Sequence, residues 1–170
     1  MTRLPVERHF TASAYVVHGG HTLLHWHRRL RMWLPPGGHC EPNEDPVQAA
    51  LREAEEESGL AVEVIAPPGL LELTEAGTPL VVPPPAVILI QDIRAEGQPF
   101  HQHIDHVYFT RPRVGVVVDF AAAVPDGVPH RWFAAEELQS SFSLPAPDGT
   151  LVRVAEDIRL LGIRAIAAAE

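Results

Sequence analysis

Three glutamates near the end of a predicted helix are the residues of this sequence best suited to chemistry. Glu53, Glu56 and Glu57 follow an i, i+3, i+4 spacing, which places their Cβ atoms roughly 5–6 Å apart on one helix face. Carboxylates this close repel one another, and the negative end of the helix dipole adds to the repulsion. A hard divalent cation with oxygen ligands would compensate it. The spacing therefore predicts a metal site.

The helix that must carry these glutamates has recognisable start and stop signals. Asp45 can cap the first turn, Pro46 suits the first helical position, and Gln48 nearly completes a capping box. Gly59 is a natural left-handed stop. We therefore predict a helix over residues 46–58. A stripe of small and apolar residues at helical spacing predicts packing against a sheet: Val47, Ala50, Leu51, Ala54 and Ser58.

The alternative for the glutamates is a solvated acidic helix face, since runs of charge usually face water. The surrounding residues argue against that alternative, because they resemble the signature box of the Nudix (MutT-like) hydrolases. The box has Gly38, five residues, Glu44, seven residues, Arg52-Glu53-Ala54, one residue, Glu56-Glu57, one residue and Gly59-Leu60. Ala54 is the one soft match, being smaller than the branched aliphatic residue that the pattern prefers.

The resemblance implies both a fold and a reaction. The implied fold is an α/β/α sandwich with a mixed β-sheet, of the α/β class. The implied activity is that of a pyrophosphohydrolase that requires Mg²⁺ or Mn²⁺ and cleaves a nucleoside diphosphate linked to another moiety, such as an ADP-ribose-like compound or a nucleoside triphosphate. A small nucleotide-type substrate is the expected partner, and a homodimer is compatible with the sequence. The alternatives are a Nudix-like sensor that binds a nucleotide without cleaving it, and an RNA 5′-end pyrophosphohydrolase.

Roles within the box also follow from the resemblance. The implied metal ligands are the carboxylates of Glu53, Glu56 and Glu57 and the backbone carbonyl of Gly37 or Gly38. Either Glu53 or Glu56 also takes the proton from the attacking water. Arg52 orients a glutamate through a charge-assisted hydrogen bond. Glu44 fastens the loop, and Gly59 ends the helix.

Length and charge set limits on the whole chain. With 170 residues, the chain has the size of one ordinary domain that needs no disulfide or metal to fold, so we expect a single domain over residues 1–170. Thirteen basic against 22 acidic residues give a net charge of −9, which disfavours nucleic acid as a partner. An acidic protein that handles an anionic substrate needs cations between the two, which agrees with the predicted metal site.

The cellular compartment is predicted from cysteine content and apolar segments. Cys40 is the single cysteine, so no intrachain disulfide can form and a reducing compartment is expected. Residues 1–8 contain no apolar signal segment. The most apolar stretch, residues 80–90, contains three consecutive prolines and is too short to span a bilayer. These features predict a cytoplasmic protein without membrane segments.

Patterns of apolar residues predict the remaining elements. The predicted strands cover residues 12–17, 22–27, 61–65, 70–74, 87–90, 104–109 and 114–118. The continuous apolar run at 87–90 predicts a strand covered on both faces. Residues 76–85 predict a loop, and residues 151–168 predict a closing helix. Residues 130–133 and 134–138 resemble the final strand and the short helix commonly found late in Nudix domains.

Basic and acidic residues outside the box are candidates for substrate contacts. Arg28, Arg29 and Arg31 form the densest positive run and lead into the glycine loop, so they are either a solvated turn or a phosphate contact. His103 and Asp105 follow a loop that, in the resembled fold, can approach the substrate. In some proteins of the resembled family a residue downstream of the box supplies the general base, so Asp105 and Glu96 are also candidates for that role.

The histidines offer a rival metal site. His25-x-His27 and His101-x-His103, with Asp105 and His106 nearby, could ligate zinc, because alternate strand residues project together and imidazole is a favoured zinc ligand. Without cysteine pairs or a recognised histidine spacing, however, surface or rim histidines are the favoured interpretation.

Overall fold

The computed structural model describes residues 6–94, 97–121, 127–140 and 143–170. The strands are β1 (Glu7–His18), β2 (His21–His27), β3 (Met32–Leu34), β4 (Gly37–His39), β5 (Val62–Val64), β6 (Val87–Ile93), β7 (His101–Pro112), β8 (His130–Ala134), β9 (Ser143–Pro145) and β10 (Leu151–Arg153). The helices are α1 (Pro46–Ser58), α2 (Ala135–Ser140) and α3 (Glu156–Ala168).

A mixed eight-stranded sheet is built around one long parallel pair. The main order is β3-β2-β1-β7-β5, while β4 pairs with β1, β6 with β7 and β8 with β2. β1 and β7 are parallel from Glu7 opposite His101 to Val16 opposite Thr110, and the other pairs are antiparallel. β9 and β10 form a separate two-stranded sheet. This register places the first half of β1 beside the first half of β7.

Helices cover both faces of the sheet. Ala12, Ala14 and Val16 of β1 pack with α1, whereas Tyr15 and Val17 pack in a second core with residues of α2 and α3. Because alternate strand residues point to opposite faces, the two cores lie on opposite sides of the sheet. The predicted α/β/α sandwich with a mixed sheet is therefore confirmed.

Alanines dominate the contact between α1 and β1. Ala12, Ala14, Ala50 and Ala54 are fully buried, as is Ala49, which lay outside the predicted stripe. Small side chains on both elements allow the helix to approach the sheet closely. The small residue at position 54 suits this interface. Two members of the predicted stripe are only partly buried: Val47 and Leu51.

Two predicted strands are absent from the described structure. Residues 70–74 follow Gly69, which has a positive φ of 75°, and Leu71 is 63% exposed. Residues 114–118 contain a turn at Gly115, with φ of 89°, and Val114 is 99% exposed. Both runs have the side-chain pattern of a strand, but neither has a partner strand to satisfy its backbone.

Two further predictions need correction. The closing helix begins at Glu156, because residues 151–153 pair with β9 instead of joining the helix. The strand β6 was predicted to be covered on both faces, yet Ile88 and Ile90 are 53% and 61% exposed. Its described pairing partner is β7 alone, so β6 lies outside the helix-covered centre of the sheet. The loop predicted over residues 76–85 is confirmed.

Candidate active site

Helix α1 carries the three glutamates and has the predicted ends. The Asp45 carboxylate accepts from the backbone N–H of Val47 at 2.8 Å and of Gln48 at 3.0 Å, and the Gln48 side chain accepts from the Asp45 N–H at 2.9 Å. Gly59 ends the helix in the left-handed conformation, with φ of 71°. The capping box, the N-terminal proline and the glycine stop are thus all confirmed.

Arg52 joins the loop to the helix. Its Nε and Nη2 donate to the two Glu44 carboxylate oxygens at 2.7 and 2.9 Å, and Nη1 donates to Glu53 Oε1 at 2.8 Å. Nη2 also donates to the His39 carbonyl at 3.1 Å. The hydrogen bond from Arg52 lowers the pKa of Glu44, and the same bond raises the pKa of Arg52. The bidentate pair fixes Arg52 against Glu44 of the loop, and the bond from Nη1 then orients the Glu53 carboxylate.

Glu57 faces the other side of the same glycine loop. The Gly37 N–H donates to Glu57 Oε2 at 3.0 Å, and His25 Nδ1 lies 3.5 Å from Glu57 Oε1. Burial, together with the charges of Glu53 and Glu56, raises the pKa of Glu57 to about 7 against the Gly37 hydrogen bond. Burial lowers the pKa of His25 to about 4, so this imidazole is neutral and its contact with Glu57 is not an ion pair.

Stability of the metal-free protein is expected to fall as the pH rises from about 4.5 to about 7 because of Glu57. Its folded pKa lies above its ordinary value of 4.5, so the folded chain binds the extra proton in this range. The free energy of unfolding decreases with pH wherever the folded state binds more protons than the unfolded state. Thermal melts in a chelator at about pH 5 and about pH 8 measure this fall. Glu57→Gln should show a smaller fall, and an undiminished fall in that variant would contradict the assignment.

Two glycines of β4 are required for different reasons. A Cβ at Gly38 would lie 2.6 Å from Glu53 Cδ, so a side chain there would displace the glutamate carboxylate. A Cβ at Gly37 would lie 2.6 Å from the Ala12 carbonyl oxygen, which is fixed in the sheet. Gly38 thus leaves room for a functional side chain, whereas Gly37 leaves room for the backbone of β1.

The two glycine-to-alanine variants should therefore fail differently. Gly38→Ala is expected to fold, because the end of a glutamate side chain can move, but to lose most of its activity as Glu53 is displaced. Gly37→Ala is expected to unfold at a lower temperature, with a loss of about 1–3 kcal/mol typical of overpacking. Melting curves and initial rates on both variants test this. A fully active Gly38→Ala protein would contradict a functional position for Glu53.

The glycine loop forms one wall of a cleft of about 600 Å³. Its polar and glycine lining includes Thr11, Ser13, His25, Arg29, Gly37, Gly38, His39, Arg94, His103 and Asp105. Three of the predicted substrate-contact residues, Arg29, His103 and Asp105, therefore reach the cleft. Arg94 was not predicted, since it lies at the end of β6 with no motif around it.

Arg28 and Arg31, the other two arginines of the predicted basic run, do not reach the cleft. Arg28 Nη2 donates to the Gly127 carbonyl at 2.9 Å, and Arg31 Nη2 lies 3.5 Å from Asp148 Oδ2. Neither lines the cleft. Arg31 adopts a left-handed backbone, with φ of 53°, in the turn between β2 and β3. The run is thus split between the cleft and the protein surface.

Asp105 lines the cleft, is buried and is held by two hydroxyls. Thr11 Oγ1 donates to Asp105 Oδ1 at 3.1 Å, and Ser13 Oγ lies 2.9 Å from Oδ2. Burial raises the pKa of Asp105, while the hydrogen bonds from Ser13 and Thr11 act against that shift. The other candidate base, Glu96, lies outside the described residues.

The histidines meet in a different combination from the one predicted. His101 and His103 gather with His9, which was not predicted, and His25-x-His27 is not part of this group. His106 Nδ1 instead lies 3.2 Å from the Thr11 carbonyl. Burial and the neighbouring rings of His39, His101 and His9 lower the pKa of His103 to about 4.

The comparison with known protein families decides the classification. The model of the NUDIX domain matches residues 7–153, which is most of the chain. The chain belongs to the Nudix family. A solved structure of a NUDIX-family hydrolase from Clostridium perfringens is similar over 97% of this chain and 100% of that protein, with 27% identity and a TM-score of 0.68. The resemblance drawn from the box is therefore confirmed.

Two curated relatives match short segments of the chain. A bovine (Bos taurus) protein named m7GpppN-mRNA hydrolase NUDT17 is 59% identical over 29 residues, 17% of this chain and 10% of that protein. A pig (Sus scrofa) protein named bis(5′-nucleosyl)-tetraphosphatase [asymmetrical] is 52% identical over 31 residues, 18% of this chain and 21% of that protein. The chain thus matches about a tenth and a fifth of the lengths of these relatives.

Within the described residues of this Nudix protein, no helix is both long and apolar enough to cross a membrane.

Proposed function

We propose that this Nudix protein is a metal-dependent pyrophosphohydrolase that cleaves a nucleoside diphosphate linked to another moiety. The observation that carries the proposal is the network of Arg52, which joins Glu44 to Glu53, the glutamate whose carboxylate lies against Gly38 in the wall of the cleft. A surface cluster of glutamates would need no such support. The proposal is supported because Gly38, against which Arg52 holds the Glu53 carboxylate, lines a cavity whose volume is typical of small-molecule sites.

The donor atoms fit Mg²⁺ or Mn²⁺. The proposed ligands are the carboxylates of Glu53, Glu56 and Glu57 and the carbonyl of Gly37 or Gly38, all of them hard oxygen donors. Burial, with a further contribution from the charges of Glu53 and Glu56, raises the pKa of Glu57, and a bound cation would stabilise this half-buried carboxylate in its charged form. The bound ion would polarise a phosphoryl oxygen and offset the charge of the leaving group.

Glu53 and Glu56 differ in how firmly their side chains are held, and this difference affects which of them can act as the general base. Glu53 is held by Arg52 at 2.8 Å, whereas Glu56 is 60% exposed and lies 3.3 Å from Arg52. Either carboxylate can accept the proton of the attacking water, and Glu56 has the greater freedom to reach it. Arg52 is a positioning residue, since its guanidinium contacts the carboxylates, and Glu44 positions Arg52 in turn. Asp105 is the alternative base in the cleft.

A nucleotide-type substrate is supported by the lining of the cleft. Arg29, Arg94 and His103 supply donors for phosphate or nucleobase groups. Among the relatives, the name of the pig protein refers to a dinucleoside tetraphosphate. ADP-ribose-like compounds and nucleoside triphosphates are the proposed substrate classes.

We also propose a single domain over residues 1–170, a cytoplasmic location and a homodimer as a compatible assembly.

Two other functions are less well supported. A nucleotide sensor without hydrolysis would not need all three box glutamates. The second is an RNA 5′-end pyrophosphohydrolase. The bovine relative is named as an mRNA hydrolase, but the net charge of −9 disfavours a nucleic-acid substrate for this chain.

A substrate panel tests the proposal. ADP-ribose, nucleoside triphosphates, dinucleoside polyphosphates and triphosphorylated RNA are each incubated with the protein and Mg²⁺ or Mn²⁺. Released phosphate or pyrophosphate and the nucleotide products are measured by chromatography. Metal-dependent cleavage of at least one small nucleotide is expected. Binding of these nucleotides without turnover under any metal condition would establish the sensor instead, and cleavage confined to RNA would establish the third function.

A further inference from the structure

Four histidines gather at the start of the parallel pair β1–β7. The register sets His9 opposite His103 and Glu7 opposite His101, while β4 sets His39 opposite Thr11 of β1. The ring centroids of His9 and His101 are 4.8 Å apart, as are those of His39 and His103. The four rings thus come from three strands that are remote in sequence. None of these rings belongs to the carboxylate site described above.

The nitrogen atoms of this cluster are close enough for one ion. One ring nitrogen from each of His9, His101 and His103 lies within 4.8 Å of those of the other two. His9 Nδ1 and His39 Nε2 are 3.3 Å apart. Zinc–nitrogen bonds of about 2.0–2.1 Å in a tetrahedral site imply nitrogen separations of about 3.3–3.4 Å. Small side-chain rotations would therefore bring the nitrogens to ligand spacing.

Outer hydrogen bonds orient two of the rings, and the remaining nitrogen of His9 is shared with His39 Nε2 at 3.3 Å. His9 Nε2 lies 3.1 Å from a Glu7 carboxylate oxygen, and His101 Nδ1 lies 3.0 Å from the Pro99 carbonyl. Carboxylate and carbonyl partners of this kind fix the tautomer and orientation of histidines that ligate metals. His9 then presents Nδ1, and His101 presents Nε2.

The third ring has an unsatisfied nitrogen. His103 Nε2 is buried and has no hydrogen-bond partner in the described structure. Buried polar side-chain atoms are normally paired, so an exception requires an explanation. A metal ion bound by the neighbouring imidazoles would supply the missing partner. His103 and His39 both line the cleft, so the cluster stands at its edge.

We propose that His9, His101 and His103, with His39 as a fourth ligand, form a second metal site for a borderline transition-metal ion such as Zn²⁺ or Co²⁺. Imidazole nitrogens favour these ions over Mg²⁺, which prefers oxygen ligands. The two sites therefore differ in donor chemistry and can be filled independently. His39 follows Gly38 in the chain, and its carbonyl accepts from Arg52, so the second site adjoins the carboxylate network.

Zinc titration in the presence of excess Mg²⁺ tests the proposal. The protein is prepared without a histidine tag, stripped with a chelator and dialysed, and Mg²⁺ is added to occupy the carboxylates. Calorimetry is expected to detect about one Zn²⁺ per chain, and Co²⁺ is expected to give the visible absorption of a tetrahedral complex. No detectable Zn²⁺ binding at millimolar concentration would overturn the proposal.

Matched variants locate the ion. His101→Gln and His103→Gln should each weaken Zn²⁺ binding by more than roughly tenfold, and Glu7→Gln by about tenfold, the lower end for an outer-shell partner. His21→Gln, at a half-buried histidine that contacts the Gly19 carbonyl and lies outside the cluster, should leave the affinity unchanged. Because His101 is buried, His9→Gln serves as a second ligand variant if His101→Gln fails to fold. Zinc affinity that survives the histidine changes but is lost in Glu56→Gln would place the ion at the carboxylates and overturn the proposal.

Discussion

Replacing Glu56 or Glu57 with Gln is expected to lower kcat by at least roughly a hundredfold, the scale of losing one preorganised electrostatic element. Each change removes a negative charge from the proposed ligand set while keeping the side-chain size. Glu57→Gln also alters the group that accepts the Gly37 N–H, but an amide oxygen can still accept that bond. Steady-state rates on the best substrate of the panel, at saturating Mg²⁺, measure the effect.

Glu55→Gln is the matched control for these two variants. Glu55 lies on the same helix turn and is exposed, but it belongs to neither the Nudix box nor the Arg52 network. Its replacement changes the helix charge equally and should alter kcat by less than a few-fold. If Glu56→Gln and Glu57→Gln both keep activity within a few-fold of the parent, the proposed metal site is wrong.

Adding Mg²⁺ is expected to raise the melting temperature by very roughly 5–10 °C. An ion that binds only the folded protein stabilises it by about 2.7 kcal/mol at a hundredfold excess over Kd. For a domain of this size, 1 kcal/mol corresponds to about 2–4 °C. Mg²⁺ is chosen over Mn²⁺ because imidazole is a poor ligand for it, so the histidine cluster should not contribute. Melts are recorded across Mg²⁺ concentration at about pH 8 and constant ionic strength, which keeps charge screening fixed.

Glu57→Gln is expected to show a smaller Mg²⁺-induced rise in melting temperature than the parent in the same series. Without metal it should be at least as stable as the parent, because a half-buried carboxylate with a raised pKa is replaced by a neutral amide. With Mg²⁺ it should gain less than the parent. Equal Mg²⁺-induced shifts in the two proteins would show that Glu57 is not a ligand, and no shift in the parent would leave the carboxylates as a solvated surface.

The helix and its chemistry were predictable because their determinants are local. Asp45, Pro46 and Gln48 define the start of α1 through contacts within three residues, and Gly59 defines its end. The charge pattern of the glutamates depends on helical spacing alone. The box also extends over a short segment, so its spacing identified the family and, through it, the sandwich fold. The bond from Arg52 to Glu44 spans only eight positions.

Long-range pairing decided what the sequence could not show. Residues 70–74 and 114–118 have strand-like patterns, but a strand needs a partner, and the described strands offer none to either run. The residues that line the cleft, such as Arg94, depend likewise on which loops and strand ends meet there.

The histidine cluster shows most clearly what the tertiary structure added. From sequence, His101-x-His103 was paired with His25-x-His27, whereas the parallel register of β1 and β7 brings His9 beside His103 instead. These residues are 94 positions apart, and no local spacing encodes a contact over that distance. The sequence by itself determined the family, helix α1 and its carboxylates through short-range geometry. The tertiary structure decided the cleft and the grouping of the histidines, because strand register is set by the packing of the whole sheet.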